Sequence, residues 1–403
     1  MYDLRSNFTK KGIFYPFRIT EWIKPRSYMN INDSVLKNEE KAIFGMRSLY
    51  RKYGYSQYKM SKFEEYDLYV RNKDFLVSDN IISFTDTNGR LMALKPDVTL
   101  SIIKNGSDAA GVVQKVFYDE NVYRVSKGSH AFKEIMQVGL ECIGAIDNYC
   151  IYEVLMLAAE SLRSISAECV LDVSHLGIVS AVIDGMNVEE PVRNALLKCI
   201  GEKNAHEIAK LCTENSVSED AKNRLLSLVS TYGDAKTVLP ELKALCTDDA
   251  SAACLDQLME VVTALEASGC GDVLRIDFSV TSDMNYYNGI VFRGFVRGIP
   301  TGILSGGQYD KLMQKMGRKS GAIGFAVYLD MLEDLSEEGT PYDADTVILY
   351  TENDDMGALR STVRMLTDAG QRVCAQKAVP EKMRYKQLLR LNGKGVEILE
   401  TNA

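Results

Sequence analysis

Residues 275–312 read RIDFSVTSDMNYYNGIVFRGFVRGIPTGILSGGQYDKL. The stretch predicts a strand, a turn and a second strand. Ile290 to Val296 alternates bulky and other residues at the strand period. Gly289, Gly298, Gly302, Gly306 and Gly307 mark places where backbone must turn or approach a ligand closely, so they predict a pocket floor. Asn285, Tyr286, Tyr287 and Asn288 set two phenols and two amides beside that floor, a group suited to a small polar molecule. Taken by itself, YYNG is better explained by a tyrosine-bearing hairpin in a core, so the weight falls on its neighbours.

Two other stretches supply them. In LKPDVTLSIIKN, residues 94–105, Pro96 breaks a strand and Thr99 opens an apolar helix, which leaves Asp97 at the junction. That carboxylate either caps the helix or serves as counter-charge for a ligand ammonium. In VFYDENVYRVSKGSHAFKEIMQVGLECIG, residues 116–144, the pattern is strand, polar loop, strand. Gln137, Gly139, Glu141 and Ile143 alternate with Val138, Leu140 and Cys142, so Gln137 and Glu141 project from one face with Gly139 leaving space between them. A solvated strand face accounts for the Gln and Glu as well, but gains little from a central glycine.

Outside these stretches the chain reads as α+β. Asn32, Asp33 and Ser34 are placed to cap a helix over about 35–53, with Leu36, Ala42, Ile43, Met46, Leu49 and Tyr50 as its apolar stripe. A strand over 55–63 precedes a hairpin, 82–85 and 91–94, turned by Asp86-Thr87-Asn88-Gly89. A helix over 149–163 leads into residues 171–271, where successive amphipathic runs predict a helical insertion. Residues 320–332 read as a further apolar helix in which Gly321 and Gly324 allow close packing. After the linker EEGTPYDAD, residues 342–403 read as a short α/β segment: strand 346–350, helix 356–369, strand 372–375 and a terminal strand near 396–399.

A chain of 403 residues, 46% of them hydrophobic, suits two or three domains. Neither a secretory leader nor an apolar run long enough for a bilayer is visible, which predicts a cytoplasmic protein with no membrane contact. Nine cysteines, none in a C-x-x-C pair, with three histidines argue against a zinc site or a disulfide framework. A net charge of −8 offers no general attraction to nucleic acid.

Four motifs, LKPDVT, the block from Tyr123 through QVGLE, YYNG-x-VF and SGGQYD, occur in the order and at the spacing of the catalytic core of histidyl-tRNA synthetases, a class II fold. The resemblance covers about residues 30–335. It implies one antiparallel sheet flanked by helices from residues 1–170 and 272–335, interrupted by the 171–271 insertion. The chain departs from the synthetase pattern where ATP is handled. Ser282 stands where the synthetases have an arginine before the tyrosine motif, Ser126 takes the acidic place after Arg124, and Gln308 replaces the arginine of the glycine motif. Losing fixed cations where charge develops on phosphate removes the electrostatic stabilisation that usually dominates such a step. The segment after the linker is also shorter than the family's anticodon-binding domain.

In these departures the chain resembles the regulatory subunits of ATP phosphoribosyltransferase, which partner the short catalytic subunit in the first step of histidine biosynthesis. The resemblance implies a homodimer without catalytic residues, cofactor, metal or nucleic-acid partner, and a retained L-histidine pocket open to feedback regulation. Asp97 and Thr99 match the positions that take the α-ammonium, Gln137 the one beside them, and Glu141, Tyr286 and Tyr287 those near the imidazole. Asp97 is one methylene shorter than the usual glutamate. With Ser282 in place of the arginine, Arg124 or backbone N–H groups near Gly306 and Gly307 are left for the ligand carboxylate. A working histidyl-tRNA synthetase and a stand-alone histidine-binding protein are the alternatives.

Overall fold

The computed structural model describes residues 36–73, 76, 81–106, 111–126, 129–281, 286–334, 342–392 and 395–402. Asn32, Asp33, Ser34, Ser282 and Asn285 lie outside the described residues.

The first described element is helix α1 (Asn38–Lys52), whose Ala42, Met46 and Tyr50 are buried at helical spacing. Ser56–Gln57 (β1) and Phe63–Glu65 (β2) follow, then α2 (Tyr66–Val70), β3 (Ser83–Thr85), β4 (Leu91–Leu94) and α3 (Thr99–Asn105). The expected strand over 55–63 is thus two separate pieces. β1 pairs with β5 (Val113–Val125), whereas β2 joins β4 and β3 in a small three-stranded sheet. The β3–β4 turn is as read: Gly89 has φ +80°, and the Asp86 carboxylate accepts from the N–H groups of Asn88 and Arg90 at 2.8 Å each.

β6 (Phe132–Gly144) pairs with β5 along their whole length, and α4 (Asn148–Ile165) starts where the Asp147 carboxylate accepts from the N–H of Cys150 at 2.9 Å. Next come β7 (Cys169–His175), α5 (Leu176–Asp184), α6 (Glu190–Gly201), α7 (Ala205–Glu214) and α8 (Glu219–Ser230). β8 (Tyr232–Gly233), α9 (Ala235–Leu245), α10 (Asp249–Ala267) and β9 (Leu274–Asp277) complete this part of the chain. Leu171–His175, read from sequence as the start of the helical segment, pair instead in the large sheet.

β10 (Ile290–Val296) and β11 (Leu304–Gln308) form the hairpin anticipated from sequence, followed by α11 (Asp310–Lys315). Residues 320–332 depart from expectation. They form β12 (Gly321–Tyr328) and a short 3-10 turn, Leu329–Asp334, not an α-helix. β12 lies in the middle of the sheet with both faces covered, so its residues are apolar throughout and the period-2 signal is lost. Residues 342–402 contribute β13 (Ala344–Leu349), α12 (Met356–Asp368), β14 (Val373–Gln376), β15 (Tyr385–Asn392) and β16 (Gly395–Thr401). These strands make a sheet in the order β14-β13-β15-β16; β15 had no counterpart in the sequence reading.

The large sheet has nine strands in the order β1-β5-β6-β12-β11-β10-β7-β9-β8, antiparallel except at β1–β5 and β7–β9. Its register separates two faces. Phe117, Leu140, Phe325, Gly306, Phe292 and Val173 stand opposite one another across six strands, and all but the glycine belong to the main hydrophobic core with α1, α4 and the helices after β7. Gly294 admits the Leu162 side chain of α4, whose carbons would lie 2.7 and 2.8 Å from a Cβ there. The residues next in line on each strand point the other way.

Candidate ligand-binding site

On that second face Tyr118, Gly139, Ala326, Ser305, Arg293 and Asp172 form one row. Beside it run Val116, Glu141, Gly324, Gly307, Val291 and Ser174. On the three central strands these rows therefore consist of three glycines, an alanine, a serine and Glu141. Above them lies a cavity of about 340 Å³, walled by Asp97, Thr99, Gln137, Arg124 and a set of tyrosines.

Each small residue has a steric reason. A side chain at Gly324 would collide with the Glu141 carboxyl, and one at Gly139 with the Tyr118 phenol. The space foreseen at Gly139 is thus filled by the Tyr118 ring. Gly307 lies on the same face as Gly324 but is covered by Tyr287, whose Cδ1 is 2.9 Å from where a Cβ would sit. Gly306 corrects the reading of the glycine pair: it points into the core, 2.5 Å from Phe325 Cβ and 2.6 Å from Phe292 Cζ by the same measure. Since β11 is paired along both edges, the amides of Gly306 and Gly307 are used in the ladders and do not serve a ligand.

Glu141 is 2% exposed and accepts from the Thr99 hydroxyl at 2.7 Å and the Tyr309 hydroxyl at 2.6 Å. Burial pushes its pKa up to about 8, against the opposing pull of those two donors, with Asp97 adding repulsion. Of the two tasks that the sequence left open for Asp97, the structure shows the one at the helix start. Asp97 accepts from the N–H of Leu100 at 2.9 Å, securing the start of α3, and its carboxyl lines the cavity. Burial raises its pKa too, opposed by the Leu100 N–H and by the Arg124 charge.

Arg124 donates through Nε to the carbonyl of Pro96 at 3.2 Å and lies over the Tyr328 ring, 5.9 Å from its centroid. Tyr286 stands edge-on to Tyr287, with centroids 4.6 Å apart, and 5.7 Å from Tyr309. Gln137 is 3% exposed and lines the cavity, and its buried amide nitrogen has no hydrogen-bond partner among the described residues. Leaving a buried donor unsatisfied costs about 1–3 kcal/mol, so this side chain is waiting for an acceptor.

All seven residues singled out by sequence, Asp97, Thr99, Arg124, Gln137, Glu141, Tyr286 and Tyr287, line this one cavity. Asn288 does not. It is tied to Asp310, donating to its carboxylate at 3.0 Å and accepting its N–H at 2.7 Å. Gln308 is also directed elsewhere: its Oε1 accepts from the N–H of Ile290 at 2.8 Å, in the space left by Gly289. Sequence reasoning missed Tyr118, Tyr309, Tyr328 and Arg293. Tyr309 was inside a quoted motif, and Arg293 is the one charged residue of IVFRGFV. Among the described residues no group of three or more His, Cys, Asp or Glu is placed to hold a metal, and no helix is long and apolar enough to cross a membrane.

The family model described as histidyl-tRNA synthetase matches residues 30–332. The chain belongs to the histidyl-tRNA synthetase family. Within that family, curated relatives carry the name ATP phosphoribosyltransferase regulatory subunit. The one from Oceanobacillus iheyensis is 28% identical over 330 residues, 80% of this chain and 81% of the relative. The one from Acetivibrio thermocellus is 26% identical over 317 residues, 76% of this chain and 75% of the relative.

Solved structures share the class II synthetase-like fold. An ATP phosphoribosyltransferase regulatory subunit/histidyl-tRNA synthetase from Bacillus halodurans has a TM-score of 0.69 at 23% identity, covering 92% of this chain and 100% of its own. A histidyl-tRNA synthetase from Nostoc gives 0.68 at 16% identity, covering 92% and 91%. A chain of the ATP phosphoribosyl transferase (HisG:HisZ) complex from Thermotoga maritima gives 0.57 at 19% identity, covering 72% and 97%.

Proposed function

We propose that this chain is a non-catalytic regulatory subunit of ATP phosphoribosyltransferase, acting with a short-form catalytic subunit in the first step of L-histidine biosynthesis. The names of its curated relatives support the role and the partner. The cavity supports L-histidine as its ligand. Asp97 supplies an anion and Thr99 an oxygen for the α-ammonium, Glu141 supplies an oxygen for an imidazole N–H, and Tyr286, Tyr287 and Tyr309 wall the ring. The observation that carries the ligand reading is Gln137, a buried donor with no acceptor among the described residues, in a cavity lining otherwise rich in oxygen.

The case against aminoacylation rests on Ser282, Ser126 and Gln308. Gln308 carries no charge, and its amide oxygen is bonded to the Ile290 backbone. We take residues 1–170 with 272–335 as the synthetase-like body of a cytoplasmic homodimer, 171–271 as its insertion and 342–403 as a separate small α/β segment.

Co-expression with a short-form catalytic subunit tests the role. The account expects a stable complex with raised phosphoribosyl transfer and no histidine-dependent ATP–pyrophosphate exchange by the chain alone. Exchange at about 1 per second or faster, as expected of a working synthetase, overturns it.

A further inference from the structure

The basic side chains lining the cavity sit at two places, Arg124 beside Asp97 and Arg293 on β10 across from Asp172. Asp97 and Glu141 are the acidic groups, and Arg124 and Arg293 the basic ones. An α-amino acid carries three different arms on one carbon, so once Asp97 takes the ammonium and Glu141 with the tyrosines takes the ring, the carboxylate must point to the remaining wall.

That wall is built around Arg293. It stands opposite Ser305 in the sheet, and Ala326 and Gly139 continue the row, so nothing bulkier than serine rises from the floor between Arg293 and Tyr118. Gly302 makes room for its stem: a Cβ there would lie 2.8 Å from Arg293 Cγ and Cδ, which directs the side chain along the cavity edge. Arg124 is held differently. Its Nε is engaged by the Pro96 carbonyl, its guanidinium lies over Tyr328, and its charge acts on Asp97, so it steadies the corner that presents the ammonium site. The Gln137 amide, buried and without a partner among the described residues, adds a second donor to the cavity lining.

We propose that Arg293 is the carboxylate-selecting residue of this cavity, holding the anionic arm of the amino acid over the Ser305–Ala326 floor with Gln137 as a second donor. The proposal rests on the histidine reading above and goes beyond it by naming the specificity determinant. A planar guanidinium matches a carboxylate with paired N–H donors, and the low-dielectric floor strengthens the contact.

Titration calorimetry of the full chain with L-histidine and with L-histidinol, in which CH2OH replaces the carboxylate, tests it. The wild type should prefer histidine by about tenfold to a hundredfold. Arg293→Gln should erase that preference and leave histidinol binding within about twofold, whereas Arg293→Lys should restore part of it. Arg124→Gln should weaken both ligands by a similar factor and keep their ratio.

If the wild type binds neither ligand, the histidine reading itself fails. If the wild type discriminates and Arg293→Gln still does so, or Arg293→Gln loses histidinol as well, the assignment to Arg293 is overturned. Loss of discrimination in Arg124→Gln alone moves the carboxylate to Arg124.

Discussion

β6 places two chemistries on one strand. Val138, Leu140 and Cys142 are 0% exposed in the hydrophobic core, while their neighbours Gln137 and Glu141, 3% and 2% exposed, are just as buried but point into the cavity. Burial alone therefore does not distinguish the faces. What differs is hydrogen bonding and size. The core face is filled by large side chains without polar atoms. The cavity face has a floor of glycine, alanine and serine beneath groups whose pKa values are displaced or whose donors lack partners. A sheet tolerates such a face where binding compensates for it.

Breaking the core face should cost the most. Phe325 is 3% exposed and meets Phe292 at 6.1 Å between centroids, so Phe325→Ala should destabilise the protein by about 3–5 kcal/mol in denaturant unfolding. On the cavity face the same strand should behave in the opposite sense. Gly324→Ala drives a methyl into the Glu141 carboxyl, so histidine affinity should fall more than tenfold, with a stability loss of about 1–3 kcal/mol. Equal stability losses from the two changes, with ligand affinity unaffected by the second, would erase the distinction between the faces.

A change in charge should cost less and act on binding. Asp97→Ala or Glu141→Ala should weaken histidine by about 1.5–3 kcal/mol in calorimetry, and Asn288→Ala, which removes contacts to Asp310, should matter less. The remaining effect is on pH dependence. Folded Glu141 titrates near 8 against an ordinary 4.5, so the native state holds a proton the unfolded chain has lost, and stability falls as pH rises through that window. Glu141→Gln should flatten the decline by at most about 1.4 kcal/mol per pH unit, read from unfolding at a series of pH values. A slope unchanged by the substitution would show that Glu141 is already ionised in the native state.

The sequence was most legible where one physical requirement acted alone. The Asn88-Gly89 turn needs positive φ, and the hairpin 290–308 alternates because each face has a different environment. Gln137 and Glu141 could be placed together because the strand period is 2. Legibility failed where two requirements coincided. Residues 321–328 are apolar on both faces, so nothing in their order separates strand from helix. Gly306 and Gly307 looked alike, yet one relieves the Phe292–Phe325 packing and the other faces Tyr287. Arg293 was hidden by the apolar pattern around it. Its part in the cavity follows from register with Ser305 and from the missing side chain at Gly302, neither of which sequence spacing reveals.

The central claim is that this cavity binds histidine and is coupled to the catalytic partner. Its most direct test is calorimetric titration of L-histidine into wild type and Asp97→Ala, each alone and in complex with the short-form catalytic subunit. The account predicts saturable one-site binding to the wild type, a loss of about tenfold to a hundredfold in Asp97→Ala, and a histidine affinity that the partner changes by the same factor by which histidine changes partner affinity. Histidine affinity that is the same in wild type and Asp97→Ala would contradict it and place the effector site outside this cavity.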